Sequence, residues 1–415
     1  MCEKLVTQLE YIKFNIPYYK NLKYFNFSLE GNELMISEIP IIKKEDIIHS
    51  LSDFISINSH DYIMPILEDY IQNKRVQETE REFKAQEFFF ERTTGTNSVF
   101  YCIKSVEERM QLSYRLWKYR RENVSSKEFY FFDFIHNSND SGYPFPFKKR
   151  KNEIQRMQKE IEFLKNKRYT WWHVNAMSLY SYESYIKENK IRFENLKFIE
   201  NNGAFIFTED KKYLQNLFDC KIVNNYGCRE VWTIAYECKC GFLHISEDIY
   251  FELVDENNNI ITESNKVGYV VISSLVLKTL PFIRYKNGDR ATYIAGNCNC
   301  DKVSRRIAII PDREMIAGTD LIGVKVFKNH IVQIKQQYES LDDVEINIIQ
   351  VEILVFIINM SKKKENYKEI ENAFVKIFLQ DSFFNKYKFK FQYENKKYKG
   401  LFVSQLYQSD KLFTL

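Results

Sequence analysis

Leu280-Pro281-Phe282-Ile283-Arg284-Tyr285-Lys286-Asn287-Gly288-Asp289 is the stretch whose reading decides the fold. Its first half is mostly apolar and its second half polar, with Gly288 supplying the backbone freedom that a tight turn needs. The pattern predicts a strand that ends in a Gly-Asp turn and presents the Asp289 carboxylate, a group suited to the diol of a ribose. A purely structural turn gives the same pattern.

On the N-terminal side, residues 232–285 are strand-rich, with Ile249–Val254 and Gly268–Ile272 separated by the turn Asp255–Asn259, a hairpin-like β region. Upstream again, Asn195 to Ile222 alternates short apolar runs with helical segments, as a doubly wound α/β layer does. Residues 1–80 alternate short helical patterns with Pro-marked turns at Ile16-Pro17 and Ile39-Pro40, the second feeding a helix. A strand-like run Ala85–Phe90 leads into the polar loop 93–98, and Glu107 to Arg121 has helical spacing. Residues 148–168, with KKRK and KNKR, read as a solvated amphipathic helix rather than a basic binding face.

Beyond about residue 313 the pattern becomes strands plus one long amphipathic helix near Tyr367 to Leu379, a small α+β domain of about 100 residues. The expectation is an α/β chain of two domains, a large one over 1–312 and a small mobile one over 313–415, hinged near Pro311-Asp312-Arg313. The most apolar stretch, Val344 to Met360, is interrupted by Glu345, Asn347, Gln350 and Glu352; it reads as two buried strands, too polar to span a bilayer.

Composition narrows the class. Across 415 residues, 45% hydrophobic and 16% aromatic content excludes a disordered or fibrous chain. Sixty basic against 56 acidic side chains give a net charge of +4, which argues for neither nucleic acid nor membrane as partner. The start Met1-Cys2-Glu3-Lys4 leads into no apolar signal segment, so the cytoplasm is expected, with eight Cys as reduced thiols or metal ligands.

Two further clusters carry chemistry. Thr93-Thr94-Gly95-Thr96-Asn97-Ser98 has the small residues and hydroxyl donors of a phosphate loop, without the Gly-Lys-Ser/Thr ending of a Walker loop. Asn224-Asn225-Tyr226-Gly227-Cys228-Arg229-Glu230 offers a ring able to stack on a base and, four residues on, a carboxylate able to hold Mg²⁺ beside phosphates. Each alone is ordinary loop chemistry.

In this order the three segments resemble the adenylate-forming (acyl-CoA synthetase-like) superfamily, specifically its phenylacetate-CoA ligase branch with relatives in capsule biosynthesis. Residues 93–98 are similar to the family's Ser-Gly-Thr-Thr-Gly loop, 226–230 to Tyr-Gly-x-Thr-Glu, and 281–289 to Pro-Leu-Ile-Arg-Tyr-x-x-Gly-Asp. Ile39-Pro40-Ile41-Ile42-Lys43-Lys44-Glu45-Asp46 resembles the branch's Leu-Pro-x-x-Thr-Lys-x-Asp, and Ala235-Tyr236-Glu237-Cys238 with His244 resembles its Ala-x-Glu-Cys…His segment. The chain departs from the pattern at Ser98, Phe100, Arg229, Asn287 and Asp312.

The resemblance implies activation of a small carboxylic acid by ATP as acyl-AMP, then transfer to a thiol, that of CoA or of a carrier protein's phosphopantetheine. It implies that the 93–98 loop holds the β,γ-phosphates, Thr96 and Glu230 the Mg²⁺, Tyr226 with Gly227 the adenine, and Asp289 with Arg313 the ribose. Lys411 matches the family's C-terminal Lys at the α-phosphate, with Lys399-Gly400 as the fallback. The aromatic run Tyr169-Thr170-Trp171-Trp172-His173 and the loop 201–205 would line an acyl pocket suited to an apolar or aromatic acid. An amine acceptor, and a catalytically decayed relative acting as a binding or scaffold module, are the rival readings; a homodimer stays open.

Cys238-x-Cys240 and Cys298-x-Cys300, with His244, offer five ligands where tetrahedral zinc takes four. The Cys-x5-His…Cys-x-Cys arrangement of some branch members favours Cys238, His244, Cys298 and Cys300 for a structural Zn²⁺, with Cys240 as alternate and all-Cys coordination as rival. Four buried reduced cysteines are the bland reading. Cys2, Cys102, Cys220 and Cys228 show no partner spacing, and His49, His60, His136, His173 and His330 are scattered.

Overall fold

The computed structural model describes residues 2–23, 25, 27–30, 33–36, 39–73, 88–92, 101–124, 131–133, 159, 161–165, 169–174, 176, 179, 182–202, 206, 208–300, 302–310, 314–317, 320–323, 330, 333–334, 337–338, 341–350, 353–360, 366–380, 385, 388–394 and 402–405. The chain divides into two compact units. One holds Met1–Thr94, Ser98–Asn123 and Asn224–Ile310; the other holds Gly95–Asn97, Val124–Val223 and Pro311–Leu415.

Helices Cys2–Asn15, Pro17–Lys20, Lys44–His49, Leu51–Phe54 and His60–Asn73 open the first unit. Pro17 takes the first helical position, where its missing N–H leaves no bond unmade. Leu5, Leu9, Ile12 and Ile16, three or four residues apart, turn one face of the chain into the core. Strands β1 (Ser28–Glu30) and β2 (Glu33–Met35) make a short ribbon.

β3 (Phe88–Arg92) and β4 (Tyr101–Ser105) form an antiparallel hairpin whose connection is residues 93–100. The polar loop therefore returns into a strand before the helix begins, a strand the sequence reading passed over. Ser105 then caps the helix Val106–Arg121: its Oγ accepts from Glu108 N at 3.2 Å, and its N donates to Glu108 Oε2 at 2.6 Å.

In the second unit, β5 (Phe131–Asp133), β6 (Trp171–Val174) and β7 (Phe198–Asn202) pair in parallel. Trp172, Val174 and Ile199 pack with Leu214 and Phe218 of the helix Thr208–Phe218, as an α/β layer requires. β8 (Lys221–Cys228) crosses the unit boundary at Asn224.

The rest of the first unit is antiparallel: β9 (Trp232–Glu237), β10 (Leu243–Ile245), β11 (Ile249–Val254), β12 (Ile260–Ile261), β13 (Val267–Ser274), β14 (Tyr285–Tyr293) and β15 (Arg306–Ile310). Neighbours run in the order β12-β11-β13-β14-β15-β10-β9-β8. The turn Asp255–Asn259 leads into β12, while β13 pairs with the opposite edge of β11.

The deciding stretch itself differs from its sequence reading. β14 begins at Tyr285, so Gly288 and Asp289 lie inside a strand rather than at its end. Lys286 faces Val271 and Arg290 faces Tyr269, so Asn287, Gly288 and Asp289 bulge out opposite Val270 alone. Gly288 takes φ +84°, the left-handed backbone that such a bulge uses.

The second unit continues with the ribbon β16 (Glu314–Ala317) and β17 (Asp320–Gly323), then β18 (Leu341–Gln350), β19 (Ile353–Met360), β20 (Lys388–Glu394) and β21 (Phe402–Gln405). These last four form a sheet in the order β20-β19-β18-β21, antiparallel at its centre and parallel at both edges. The amphipathic helix Tyr367–Phe378 buries Ile370, Phe374 and Phe378, and the Phe374 and Phe378 rings meet Phe391 and Phe389 of β20 at 5.7 and 6.2 Å. Among the described residues no helix is long and apolar enough to cross a membrane.

Arg284 holds the first unit's sheet to its N-terminal segment. Its backbone is left-handed, φ 46°, and its N–H donates to Ser273 Oγ at 2.9 Å. The guanidinium reaches Glu252 at 3.2 and 3.1 Å and the carbonyl of Ile39 at 2.6 Å. Ile42 N donates to Arg284 O at 3.0 Å, and Lys286 N to Ile42 O at 2.9 Å, so the Ile39–Asp46 segment is sewn onto β14.

Both charges are buried. Burial raises the Glu252 carboxyl further than the guanidinium lowers it, so desolvation outweighs the attraction and the pair adds little net stability. Removing one partner is another matter, because it strands a buried charge. Arg284→Met should lower unfolding free energy in a denaturant titration by about 3–5 kcal/mol; a loss below about 1 kcal/mol would mean that the pair is dispensable.

Candidate functional site

Tyr226 and Glu230 sit where β8 turns into β9, Glu230 inside the turn itself. Gly227 is required there: a Cβ would stand 1.7 Å from the carbonyl oxygen of Trp232, which enters β9 with φ 64°. Three strands separate β8 from β14 in the sheet, yet the side chains of the two meet. The sheet of this unit thus curls until its β8 edge reaches the bulge of β14.

Two contacts make the junction. Tyr226 OH donates to Asp289 Oδ2 at 2.9 Å, while Asn287 Nδ2 lies 3.0 Å from that oxygen and 3.1 Å from the Tyr226 hydroxyl. Asp289 N in turn donates to Asn287 Oδ1 at 3.0 Å, which locks the bulge. Burial first, and the Asp289 charge second, hold the Tyr226 hydroxyl well above its usual value, so it remains a donor.

The second contact lies deeper: Tyr285 OH donates to Glu230 Oε1 at 2.8 Å. Glu230 is buried, and burial and its charge together push the Tyr285 hydroxyl far up. Cys102 of β4 and Cys228 of β8 adjoin the same carboxylate, and burial ahead of the Glu230 charge raises both thiols. Neither therefore behaves as a reactive thiolate.

Sequence reasoning missed the ion pair beside them. Lys104, fully buried, donates to Glu91 Oε2 at 2.9 Å and to the Arg229 carbonyl at 2.8 Å, and Trp232 Nε1 donates to the same Glu91 oxygen at 2.8 Å. Burial raises the Glu91 carboxyl, but the Lys104 charge and these donors prevail and hold it below the usual carboxylate range. The available signal was a Lys directly after the apolar run Tyr101-Cys102-Ile103 and a Glu after three Phe.

The structure brings Cys238, His244, Cys298 and Cys300 together, their ligand atoms all within 4.8 Å of one another. Cys238 follows β9, His244 lies on β10, and the other two lie in the β14–β15 connection. Cys238 Sγ is 3.7 Å from Cys298 Sγ, and Cys300 Sγ is 3.3 Å from His244 Nε2. A tetrahedral zinc with bonds near 2.3 Å sets sulfur–sulfur edges of about 3.8 Å, so this donor set fits one. His244 Nδ1 lies 2.9 Å from the Ser304 carbonyl, which accepts its N–H and leaves Nε2 to face Cys300 Sγ. Cys240 is exposed and is not one of the four.

In the second unit, His173 on β6 lies 3.5 Å from the buried Glu200 on β7, and Asn202 Nδ2 is 2.9 Å from His173 Nε2. Trp171 stacks on Phe198 at 5.4 Å, so much of that aromatic run is core. The loop 93–98 with Thr93, Thr94, Gly95, Thr96, Asn97 and Ser98, together with Arg313, Lys411 and Lys399-Gly400, lies outside the described residues.

No family model matches the sequence, and no curated protein does. Solved structures do. Over 97% of this chain and 87% of that one, 2-hydroxyisobutyryl-CoA ligase in the postadenylation state, in complex with R3-HIB-AMP, superposes with a TM-score of 0.60 at 13% identity. The same ligase with 2-HIB-AMP and CoA, in the thioesterification state, gives 0.55 at 14% identity over 99% and 87%. The chain has the adenylate-forming ligase fold. At such identity the likeness is one of fold; within the adenylate-forming fold, Tyr226, Glu230 and Asp289 are placed by the contacts described above, not by the comparison.

Proposed function

We propose that the chain activates a small carboxylic acid with ATP and passes the acyl group to a thiol. What carries the reading is the junction of the 224–230 and 281–289 motifs, where Tyr226 OH bonds Asp289 and Tyr285 OH bonds Glu230, so that two carboxylates and a ring from segments far apart in sequence stand on one curled sheet.

In the first step a carboxylate oxygen attacks the α-phosphorus; an O–P bond forms, the bond to the β-phosphate breaks, and pyrophosphate leaves. Asp289, fixed by Asn287 and Tyr226, would accept from the ribose hydroxyls, and Arg313 is the second residue assigned to the ribose. Tyr226 stacks on the adenine over Gly227. Glu230 and Thr96 would hold Mg²⁺, whose charge would offset that of the phosphates, and the 93–98 loop would supply donors to the β,γ-phosphates. Lys411 neutralises charge at the α-phosphate during this step only, carried by a C-terminal domain over 313–415 that swings away before the second. There a thiolate of CoA or of a carrier-protein phosphopantetheine attacks the acyl carbon, the carbon–oxygen bond breaks, and AMP leaves.

Wild-type protein incubated with a panel of carboxylic acids should catalyse ATP–pyrophosphate exchange with at least one of them. Asp289→Ala should weaken ATP binding by about tenfold or more, the worth of hydrogen bonds to a charged group, and Lys411→Ala should depress exchange. A silent panel together with no ATP-dependent thermal shift would instead favour a scaffold.

We also assign a structural zinc to Cys238, His244, Cys298 and Cys300, which would tie the β9–β10 hairpin to the β14–β15 connection. Elemental analysis should find one zinc per chain in wild type and its loss in Cys298→Ser, with a lower melting temperature under chelation. A metal-free protein with an unchanged melting temperature would refute the assignment.

A further inference from the structure

Arg109 is the fourth residue of the helix Val106–Arg121, at the end where a helix favours acids over bases. Its guanidinium lies over two rings, with Cζ 4.0 Å from the centre of Phe89 and 5.7 Å from that of Trp232. All three side chains are partly exposed, and all belong to the first unit. A guanidinium stacked in this way uses its face and leaves the N–H groups of its edge to bond something else. Among the described residues they bond nothing: Arg109 has no hydrogen bond and no ion pair there.

Other arginines of this unit are answered. Arg115, six residues on, pairs with Glu247 at 3.1 Å and with Asp248; Arg284 has Glu252, and Arg306 bonds the carbonyls of Ala295 and Gly296. The acids close to Arg109 in sequence or packing are committed elsewhere. Glu107, two residues back on the helix, faces away and accepts from Gln111, while Glu108 accepts from the N–H groups of Ser105, Lys278 and Thr279. Glu91 is matched by Lys104 and Trp232. Covering two rings needs only an apolar side chain, which would set no charge against the positive end of the helix. The stacking instead orients a cation with no carboxylate paired to it, a preset fork suited to an oxyanion.

We infer that Arg109 is a binding residue for a phosphate oxyanion, which meets the edge of the guanidinium while Phe89 and Trp232 fix its plane. Trp232 directly follows the turn that contains Glu230, so the polyphosphate end of ATP is the source this placement favours. That source rests on the proposed reading of Glu230 as an Mg²⁺ ligand, whereas the oxyanion site does not. The phosphates of CoA carry the same chemistry and are the other source.

The test is calorimetric titration of full-length protein with inorganic pyrophosphate, ATP, AMP and CoA, each with Mg²⁺, alongside thermal melting. Arg109→Gln should weaken pyrophosphate and ATP about tenfold or more, the worth of hydrogen bonds to a charged group, and leave AMP as in wild type. Arg109→Lys keeps the charge and loses the fork, and should show a smaller loss of the same kind. It decides the matter if the Gln variant does not fold: pyrophosphate bound more weakly than by wild type supports the site, and equal binding refutes it. A loss confined to CoA would keep the oxyanion site and assign it to the acceptor. Equal binding of every phosphate by wild type and variants would make Arg109 a packing residue and overturn the inference alone, whether or not the melting temperature falls. Wild type that binds none of the phosphates would overturn it together with the nucleotide reading. Pyrophosphate bound through Arg109 by a wild type that binds neither ATP nor AMP would sink the nucleotide reading and leave the oxyanion site standing.

Discussion

A guanidinium buried under a sheet must be answered by a carboxylate, and in this chain Arg284 has Glu252. That pairing adds little by itself, since burial costs Glu252 more than the guanidinium returns. Around the pair the left-handed backbone at Arg284, the guanidinium bond to the Ile39 carbonyl and the bonds between Ile42 and β14 come together at one place.

From there the geometry of the site is inherited. With Arg284 held, Tyr285 enters β14 facing Glu230, and the bulge at Asn287, Gly288 and Asp289 swings the second carboxylate against Tyr226. Each carboxylate thus receives a tyrosine hydroxyl whose own proton is held by burial and by the charge it faces. The curl of the sheet does what no single strand could, closing β8 on β14 across three intervening strands. Side chains placed this way are held by the sheet around them, which suits the proposed reaction, in which positioning and charge would supply most of the rate.

Much of this was legible in the residues. The ordered motifs led to the fold, and they singled out the Tyr226 and Asp289 side chains that the structure joins, the Glu230 carboxylate, and the Cys238, His244, Cys298 and Cys300 side chains that it gathers within 4.8 Å. The strands within Val344 to Met360 and the helix near Tyr367 also stand where their patterns put them. What stayed hidden has physical reasons. A Gly-Asp pair reads as a turn, and only the partner strand reveals that it is a bulge. Lys104 looks like any surface lysine in a chain with 60 basic side chains, and nothing local says that Glu91 and the Arg229 carbonyl will enclose it. Arg284 was visible as part of a motif, but its partner lies in another strand, so its structural role could not be read from spacing.

The central claim is that a carboxylate oxygen attacks the α-phosphorus of ATP at this junction. The most direct measurement uses a carboxylic acid labelled with ¹⁸O in both carboxyl oxygens, a thiol acceptor and ATP, with mass spectrometry of the nucleotide released. Attack at the α-phosphorus followed by cleavage of the acyl carbon–oxygen bond leaves one ¹⁸O in AMP. Label in inorganic phosphate, or a nucleotide product without label, would contradict it.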